Sequence, residues 1–359
     1  MTHGGYVKRQ PVAEYKSQHR GGVGITAHKT KDEDFVESIF TTSTHDDLMF
    51  FTNFGKVYVI KGYEIPEASR NSRGRAVINI LQLDPGEKVA TLLPVPERGE
   101  GYLMLATKQG LIKKTALSEF ESIRKTGKKA IRLVDGDELI AAMITKGDEE
   151  LIIASHEGKC IRFREADVRA MGRDCQGVRS MKLNPGDYAV DMAMVEEDKE
   201  VLTISENGFG KRSSPDEYRV QGRAGMGVKA GVFNEETGKL VCLKMINADN
   251  DIMIIADNGI IIRVAADEIR KIGRDTKGVK VMNLREGSKI MSIAVVPHEE
   301  PEEEVVLDEN GNPVTTTEDV TEVTSATDSE FPVDNELAEE TAEVNAETAA
   351  VNETVSDEE

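Results

Sequence analysis

The chain has 359 residues and a formal net charge of −20, from 45 Lys and Arg against 65 Asp and Glu. That length allows one large repeat domain or two ordinary ones, and the acidic balance taken alone argues against a polyanionic partner. No apolar run approaches the length that spans a bilayer, no apolar leader follows Met1-Thr2-His3-Gly4-Gly5, and Cys160, Cys175 and Cys242 lie in separate segments, which argues against a disulfide framework and for a reducing compartment.

In chain order, residues 1–50 hold a first, incomplete unit. A turn at Gly5 follows the start almost at once, and Tyr6-Val7-Lys8-Arg9 reads as the strand after it. The strand before the turn is absent, so the sequence reads as a fragment cut upstream. Tyr15 to Ile25 is glycine-rich, Asp32 to Asp34 predicts a turn, and Phe35 to Thr41 predicts a strand. A second unit, about 46–95, opens with Leu48-Met49-Phe50-Phe51-Thr52, turns at Asn53-Phe54-Gly55, and returns through Lys56 to Lys61. A third spans about 101–145, with its turn at Lys108-Gln109-Gly110. The fourth, from Glu150 to Val195, is the clearest. Leu151 to Ser155 is apolar, His156-Glu157-Gly158 turns, Lys159 to Arg164 returns, and Ala189 to Val195 closes the unit. The fifth, about 199–246, turns at Glu206-Asn207-Gly208; the sixth, about 250–297, at Asp257-Asn258-Gly259. Asn-Gly between apolar runs is a strong hairpin signal, because both residues accept positive φ.

The hairpin glycines Gly5, Gly55, Gly110, Gly158, Gly208 and Gly259 recur about every fifty residues. A second set follows at Gly22, Gly74, Gly127, Gly177, Gly225 and Gly278. Between the sets lie short stretches such as Ala166–Met171 and Ala266–Ile272, with acids early and bases late, which predict single helical turns. A four-stranded unit this small cannot bury both faces alone, so the period predicts an all-β chain of propeller-like blades or a solenoid.

From about 298 the pattern stops. Beyond Pro297 there are 22 acidic residues and no Lys or Arg, which leaves 45 basic against 43 acidic in the repeats. The boundaries are therefore 1–297 for the repeat domain and 298–359 for an acidic tail, expected to be disordered because like charges repel and little apolar surface offsets chain entropy.

No phosphate loop, metal-ligand spacing or acid–base constellation is legible. Gly21-Gly22-Val23-Gly24 lacks the lysine and hydroxyl such a loop needs, and no cofactor is called for. The recurring cations carry the functional signal. After the hairpin turns stand Lys8 and Arg9, Lys56, Lys113 and Lys114, Lys159 and Arg162, Lys211 and Arg212, and Arg263. Around the second glycines stand Arg20, Arg73 and Arg75, Lys128 and Lys129, Arg173 and Arg179, Arg223 and Lys229, and Arg274, Lys277 and Lys280. If the units are equivalent, these residues form a belt that contacts the phosphates of an anionic polymer without reading base edges. Adjacent glycines let backbone amides approach a phosphate.

Tyr15-Lys16-Ser17-Gln18-His19-Arg20-Gly21-Gly22-Val23-Gly24, after Gly5-Tyr6-Val7-Lys8-Arg9, resembles the box motif of the C-terminal domain of the larger, breakage–reunion polypeptide of bacterial DNA gyrase, gyrase A. Gln18, Arg20, Gly21, Gly22 and Gly24 match that box; His19 stands for an arginine and Val23 for a basic residue. A weaker echo runs from Tyr218 to Gly227. The resemblance covers about residues 2–297. It implies a six-bladed β-pinwheel, a propeller-like disc of four-stranded blades that exchange strands. It also implies duplex DNA wrapped in a positive sense on a basic edge, with the box, His19 included, at the DNA. The implied partners are the gyrase A breakage–reunion core and gyrase B in an A2B2 assembly, in the bacterial cytoplasm on the nucleoid. The catalytic tyrosine and ATPase would lie elsewhere, so the domain itself would be non-catalytic. The other readings are a propeller for protein interaction and the corresponding C-terminal domain of topoisomerase IV.

Overall fold

The structure, a computed structural model, describes residues 1–12, 20, 22, 25–26, 36, 38–69, 72–95 and 100–298. The chain divides into Met1–Pro301 and Glu302–Glu359. The second unit lies outside the described residues, as does the acidic tail beyond His298. Among the described residues the regular structure is strand and single-turn 3-10 helix, and no helix is long and apolar enough to cross a membrane.

The first repeat contributes β1 (Tyr6–Val7) and β2 (Ile25–Thr26). The second contributes β3 (Asp47–Thr52), β4 (Lys56–Lys61), β5 (Arg75–Ala76) and β6 (Val89–Val95). The third has β7 (Tyr102–Thr107), β8 (Leu111–Ala116), β9 (Lys128–Lys129) and β10 (Leu139–Thr145). The fourth has β11 (Glu150–Ser155), β12 (Lys159–Arg164), β13 (Val178–Arg179) and β14 (Ala189–Val195). The fifth has β15 (Glu200–Ser205), β16 (Phe209–Ser213), β17 (Val228–Lys229) and β18 (Leu240–Ile246). The sixth has β19 (Asn250–Ala256), β20 (Ile260–Ala265), β21 (Val279–Lys280) and β22 (Ile290–Pro297).

Each of these repeats folds as the sequence predicts, up to a point. The hairpin glycines all sit at positive φ, from +69° at Gly55 to +83° at Gly208, so the two runs return as an antiparallel pair. The first run is continuously apolar rather than alternating because it lies mid-sheet with both faces covered by neighbouring sheets. Leu151 to Ser155 and Asp251 to Ala256 are buried throughout. A fully covered Leu or Ile contributes about 1.5–3 kcal/mol. The long last strand lies on the other side of the first run, entered through a register shift near its start in every complete sheet. The strands β6, β10, β14, β18 and β22 then pack side by side in succession, forming the inner wall of the ring.

The fourth strand of each sheet comes from the next repeat. The orders are β6-β3-β4-β9, β10-β7-β8-β13, β14-β11-β12-β17, β18-β15-β16-β21 and β2-β20-β19-β22. The circuit closes because the first repeat gives β2 to the sixth and receives β5 from the second. Here the expectation of uniform four-stranded blades is corrected. Five sheets have four strands, while the first repeat holds only the two-stranded β1–β5 among the described residues. It adds an isolated bridge between Thr2 and Val36. Thr2 accepts from the Gly5 amide at 2.9 Å, as Thr52 does from Gly55, so Thr2 stands at the turn where Thr52 stands in the second repeat. The strand expected over Phe35–Thr41 appears only as the Val36 bridge, and residues 38–40 have no strand. The predicted helical stretches shorten to 3-10 turns at Glu165–Asp167 and Ala266–Glu268.

Candidate nucleic-acid interface

The exchanged strands β5, β9, β13, β17 and β21 form the outer edge, opposite the inner wall. What allows each to dock is the glycine just before it. Gly74, Gly127, Gly177, Gly227 and Gly278 all have positive φ. At Gly227 an added Cβ would lie 2.2 Å from the Cys160 carbonyl oxygen, and at Gly278 2.5 Å from that of Gly210. Only glycine permits both the backbone turn and the approach. Two of the second-set glycines are thereby corrected. Gly225 is not the docking residue of its repeat, since Gly227 precedes β17 while Ala224 carries a φ of +66°. By the same register Gly24, not Gly22, directly precedes β2. Gly24 itself lies outside the described residues.

Side chains on this edge point cations outward. Arg75, Arg179, Lys229 and Lys280 are exposed, and Lys128 and Lys129 are half-buried. Lys129 donates to the Phe54 carbonyl at 3.0 Å and Lys280 to that of Asn207 at 2.8 Å. Lys280 also lies over the Phe209 ring, 4.7 Å from its centroid, and Arg73 over Tyr6 at 5.0 Å. Such contacts hold a charge outward without neutralising it. Lys159 stands opposite Lys229 and Lys56 opposite Lys129. Like charges in facing positions are unfavourable. Lys56 is answered by Asp84 and Glu87, and the Asp84 hydrogen bond pushes its pKa up. Lys159 and Lys229, with Arg75, Lys128 and Arg179, form no ion pair among the described residues.

The loops before the glycines are chained to one another. An arginine stands four residues before the docking glycine in five of the six repeats: Arg20, Arg70, Arg173, Arg223 and Arg274. Arg173 donates to the Lys129 carbonyl at 3.4 Å, Arg223 to that of Arg179 at 3.1 Å, and Arg274 to that of Lys229 at 2.6 Å. Each thus reaches the exchanged strand of the preceding repeat. The backbone amides of Arg20 and Arg274 bond Glu268 and Glu217, at 2.7 and 2.6 Å. Arg20, exposed, therefore continues the series across the ring closure. Arg70 was missed by the sequence reading; counting back from the docking glycine finds it, although it lies outside the described residues. Arg132 and Lys182, exposed just beyond β9 and β13, were also missed. Gln18, His19 and Gly21 lie outside the described residues; Gly22 is half-buried.

A second group of predicted contacts is corrected. Lys113, Lys114, Lys211, Arg212 and Arg263 are buried, and the Arg162 side chain is 13% exposed. The position four past the hairpin glycine is an internal anchor. Lys114 pairs with Glu165 at 2.8 Å, Arg162 with Glu150 at 2.6 Å, Arg212 with Glu200 at 2.8 Å and Arg263 with Asp251 at 2.7 Å. Arg162 and Arg212 also donate to the carbonyls of Pro215 and Ile269 in the next repeat. Arg9, more exposed, bonds Ile65 and Glu67 likewise. The position three past the glycine holds Lys8, Lys113 and Lys211, whose ammonium groups bond backbone carbonyls. These cations serve the sheets, so they are unavailable to a ligand on the edge. Lys277 is exposed but paired with Glu236 at 2.8 Å, and Arg173 with Glu119 at 3.0 Å.

Among the described residues no group of three or more His, Cys, Asp or Glu could hold a metal ion. Cys160 and Cys242 are buried, and burial pushes both thiols up, away from the reactive form. The inner wall lines a cavity of about 720 Å³, where Lys244 pairs with Asp191, Lys289 with Glu206 and Lys108 with Glu138, while Lys88 is exposed. The exchanged strands of the outer edge carry exposed cations in succession, Arg75, Arg179, Lys229 and Lys280.

A family model described as DNA gyrase C-terminal domain, beta-propeller, matches residues 1–43, 46–96, 101–146, 149–196, 199–245 and 250–297. The DNA gyrase A polypeptide of Halalkalibacterium halodurans is 52% identical over 303 residues, 84% of this chain and 36% of that protein. Its Escherichia coli counterpart is 39% identical over 309 residues, 86% and 35% of the two chains. The chain thus spans little more than a third of these relatives. A solved DNA gyrase A C-terminal domain superposes with a TM-score of 0.76 at 29% identity, covering 82% of this chain and 98% of that one. The C-terminal domain of a DNA topoisomerase IV shares the fold, with a TM-score of 0.64 at 24% identity over 82% and 91%.

Proposed function

This chain belongs to the DNA gyrase C-terminal domain family, and from that premise we propose that it binds duplex DNA without reading its sequence and wraps it in a positive sense along the outer edge. The observation that carries the reading is the succession of exposed cations, Arg75, Arg179, Lys229 and Lys280, one exchanged strand after another. A duplex bent through tens of degrees stores several kcal/mol, and distributed phosphate contacts offset that without base readout.

The six matched segments support a six-blade plan with the first repeat as its least regular member. Residues 1–297 are the binding domain, and 298–359 an acidic tail. The domain is non-catalytic and takes no cofactor. It works in the bacterial cytoplasm on the nucleoid, within an A2B2 gyrase. There it presents a wrapped segment to the gyrase A breakage–reunion core and to gyrase B, so that strand passage yields negative supercoils.

Relaxed circular DNA is closed by a nicking-closing enzyme in the presence of the chain, and its topology is read on gels. The wild-type chain shifts the distribution toward positive linking-number change, and Arg20→Ala with Arg179→Ala reduces the shift. An undisturbed distribution, with gel-shift affinity indifferent to salt, would overturn the reading in favour of a protein-interaction propeller.

A further inference from the structure

The lysine three residues past the hairpin glycine occurs in alternate repeats: Lys8, Lys113 and Lys211, against Tyr58, Ile161 and Ile262 between them. In all three places its ammonium reaches carbonyls of the loop that arrives from the next repeat, buried at Lys113 and Lys211 and half-buried at Lys8, and Lys113 also reaches Ala130 of its own repeat. Lys8 donates to the carbonyls of Ser69 and Ser72, each at 3.1 Å. Lys113 donates to Ala130 at 2.6 Å and also to Arg173. Lys211 donates to Gly273 at 3.3 Å, to Thr276 at 2.7 Å and to Arg274. The side chains of Lys113 and Lys211 are essentially inaccessible, at 0% and 2% exposure. Neither has an ion pair among the described residues, and an ammonium so placed is held only by converging carbonyl dipoles.

We propose that Lys113 and Lys211, with Lys8 in the same role, are positioning residues for the outer edge. Each gathers the carbonyls of an incoming loop and thereby fixes the direction of that loop's arginine and of the exchanged strand behind it. The loops concerned carry Arg173 before β13 and Arg274 before β21, and those strands present Arg179 and Lys280. Without the internal cation the loop carbonyls of Arg173 and Arg274 lose its ammonium as donor, and those of Gly273 and Thr276 keep the Thr276 hydroxyl and the Val232 amide alone. The loop is then held by fewer bonds, chiefly that of the Arg274 amide to Glu217, in the conformation that brings Arg274 to within 2.6 Å of the Lys229 carbonyl. The arrangement makes the stiffness of the edge alternate, with loops tied from beneath in every second repeat. This inference rests on the DNA-binding reading for its functional consequence, but not for its structural one.

Burial pushes the pKa of both lysines down to about 8. The charged and titratable groups facing Lys113 are Cys175, Asp174, Arg173 and Glu119; those facing Lys211 are Glu217, Asp275, Cys160 and Arg274. A lysine stem that merely filled space would give no pH response near neutrality.

The test uses the full chain with Lys113→Met, Lys211→Met and both together, and a random-sequence linear duplex as probe. Amide hydrogen exchange over 172–177 and 273–278 is read without DNA, and duplex affinity is read at several salt concentrations. The variants are expected to exchange faster in those loops and to bind roughly threefold more weakly per site, on the scale of one phosphate contact. Wild-type loop protection, taken as the exchange rate relative to the intrinsic base-catalysed rate at each pH, is expected to fall between about pH 7 and about pH 9 as the ammonium groups lose their protons, with no such fall in the double variant. Unchanged loop exchange in the variants, with the same pH response as wild type, would overturn the positioning role. If Lys113→Met fails to fold, Lys211→Met and the wild-type pH series decide it. Faster loop exchange without any duplex binding by wild type would keep the positioning role and remove the DNA reading instead.

Discussion

Lys211 and Lys229 belong to the same repeat and are separated by a few turns of chain, yet they occupy opposite environments. Lys211 lies within β16, covered by neighbouring sheets, and spends its ammonium on three backbone carbonyls. Lys229 ends β17, is exposed, faces Lys159 across the strand pair, and has no acidic partner among the described residues. The difference teaches that a recurring cation in this chain has two separate meanings. In the interior strand it fastens one repeat to the next. On the exchanged strand it is unspent charge, maintained against like-charge repulsion, which is what a polyanion-binding edge requires.

The largest break in that contrast comes from the interior. Asp251→Ala removes the buried carboxylate that Arg263 and His298 share, in a site where the Arg263 and Asp251 side chains are nearly inaccessible, and leaves Arg263 bonded to the Pro297 carbonyl. Unfolding of the full chain in urea is expected to show a loss of about 3–5 kcal/mol. A loss under about 1 kcal/mol would mean that the interior cations are not structural anchors. On the edge the signs reverse. Lys159→Ala with Lys229→Ala leaves stability within about 0.5 kcal/mol, or slightly raised because the facing charges are gone. The same pair lowers the slope of log affinity against log salt by about 1.8, at about 0.9 per phosphate contact. A double variant with unaltered salt dependence would put the duplex elsewhere on the molecule. The smallest effect is expected at Lys277, whose charge is already answered by Glu236 in an exposed pair. Lys277→Ala should cost under about 1 kcal/mol of stability, and its change in salt slope should be smaller than that of Lys229→Ala. Equal slope changes for the two would show that ion pairing on the edge does not grade its affinity.

Much of this was legible in residues. Asn207-Gly208 and Asn258-Gly259 between apolar runs marked hairpins that the structure contains. Arg75, Arg179, Lys229 and Lys280 were read as available charge and are exposed. Lys113, Lys211 and Arg263 were read the same way and are not. The misreading has a physical cause. In a strand with one face solvated, alternation tells inside from outside. Here the hairpin strands are covered on both sides, so Lys113 and Lys114 are consecutive and yet both buried. Gly225 and Gly227 are alike in sequence, and the positive φ of Gly227 and its approach to the Cys160 carbonyl on the preceding repeat distinguish them.

By itself, then, the amino-acid order determined the period, the strand and turn residues, the stretch of acid without Lys or Arg beyond Pro297 and the family. These depend on local backbone preference and on counting, and need no knowledge of what lies opposite. Which strand completes which sheet, which cations keep their charge for solvent, and that the first repeat holds two strands where the others hold four among the described residues were decided only by the tertiary structure. The reason is that exchange joins residues about seventy positions apart, as Lys159 and Lys229 are. A carbonyl, a ring or a carboxylate on one repeat fixes the exposure of a side chain on the next, and nothing local to that side chain records it.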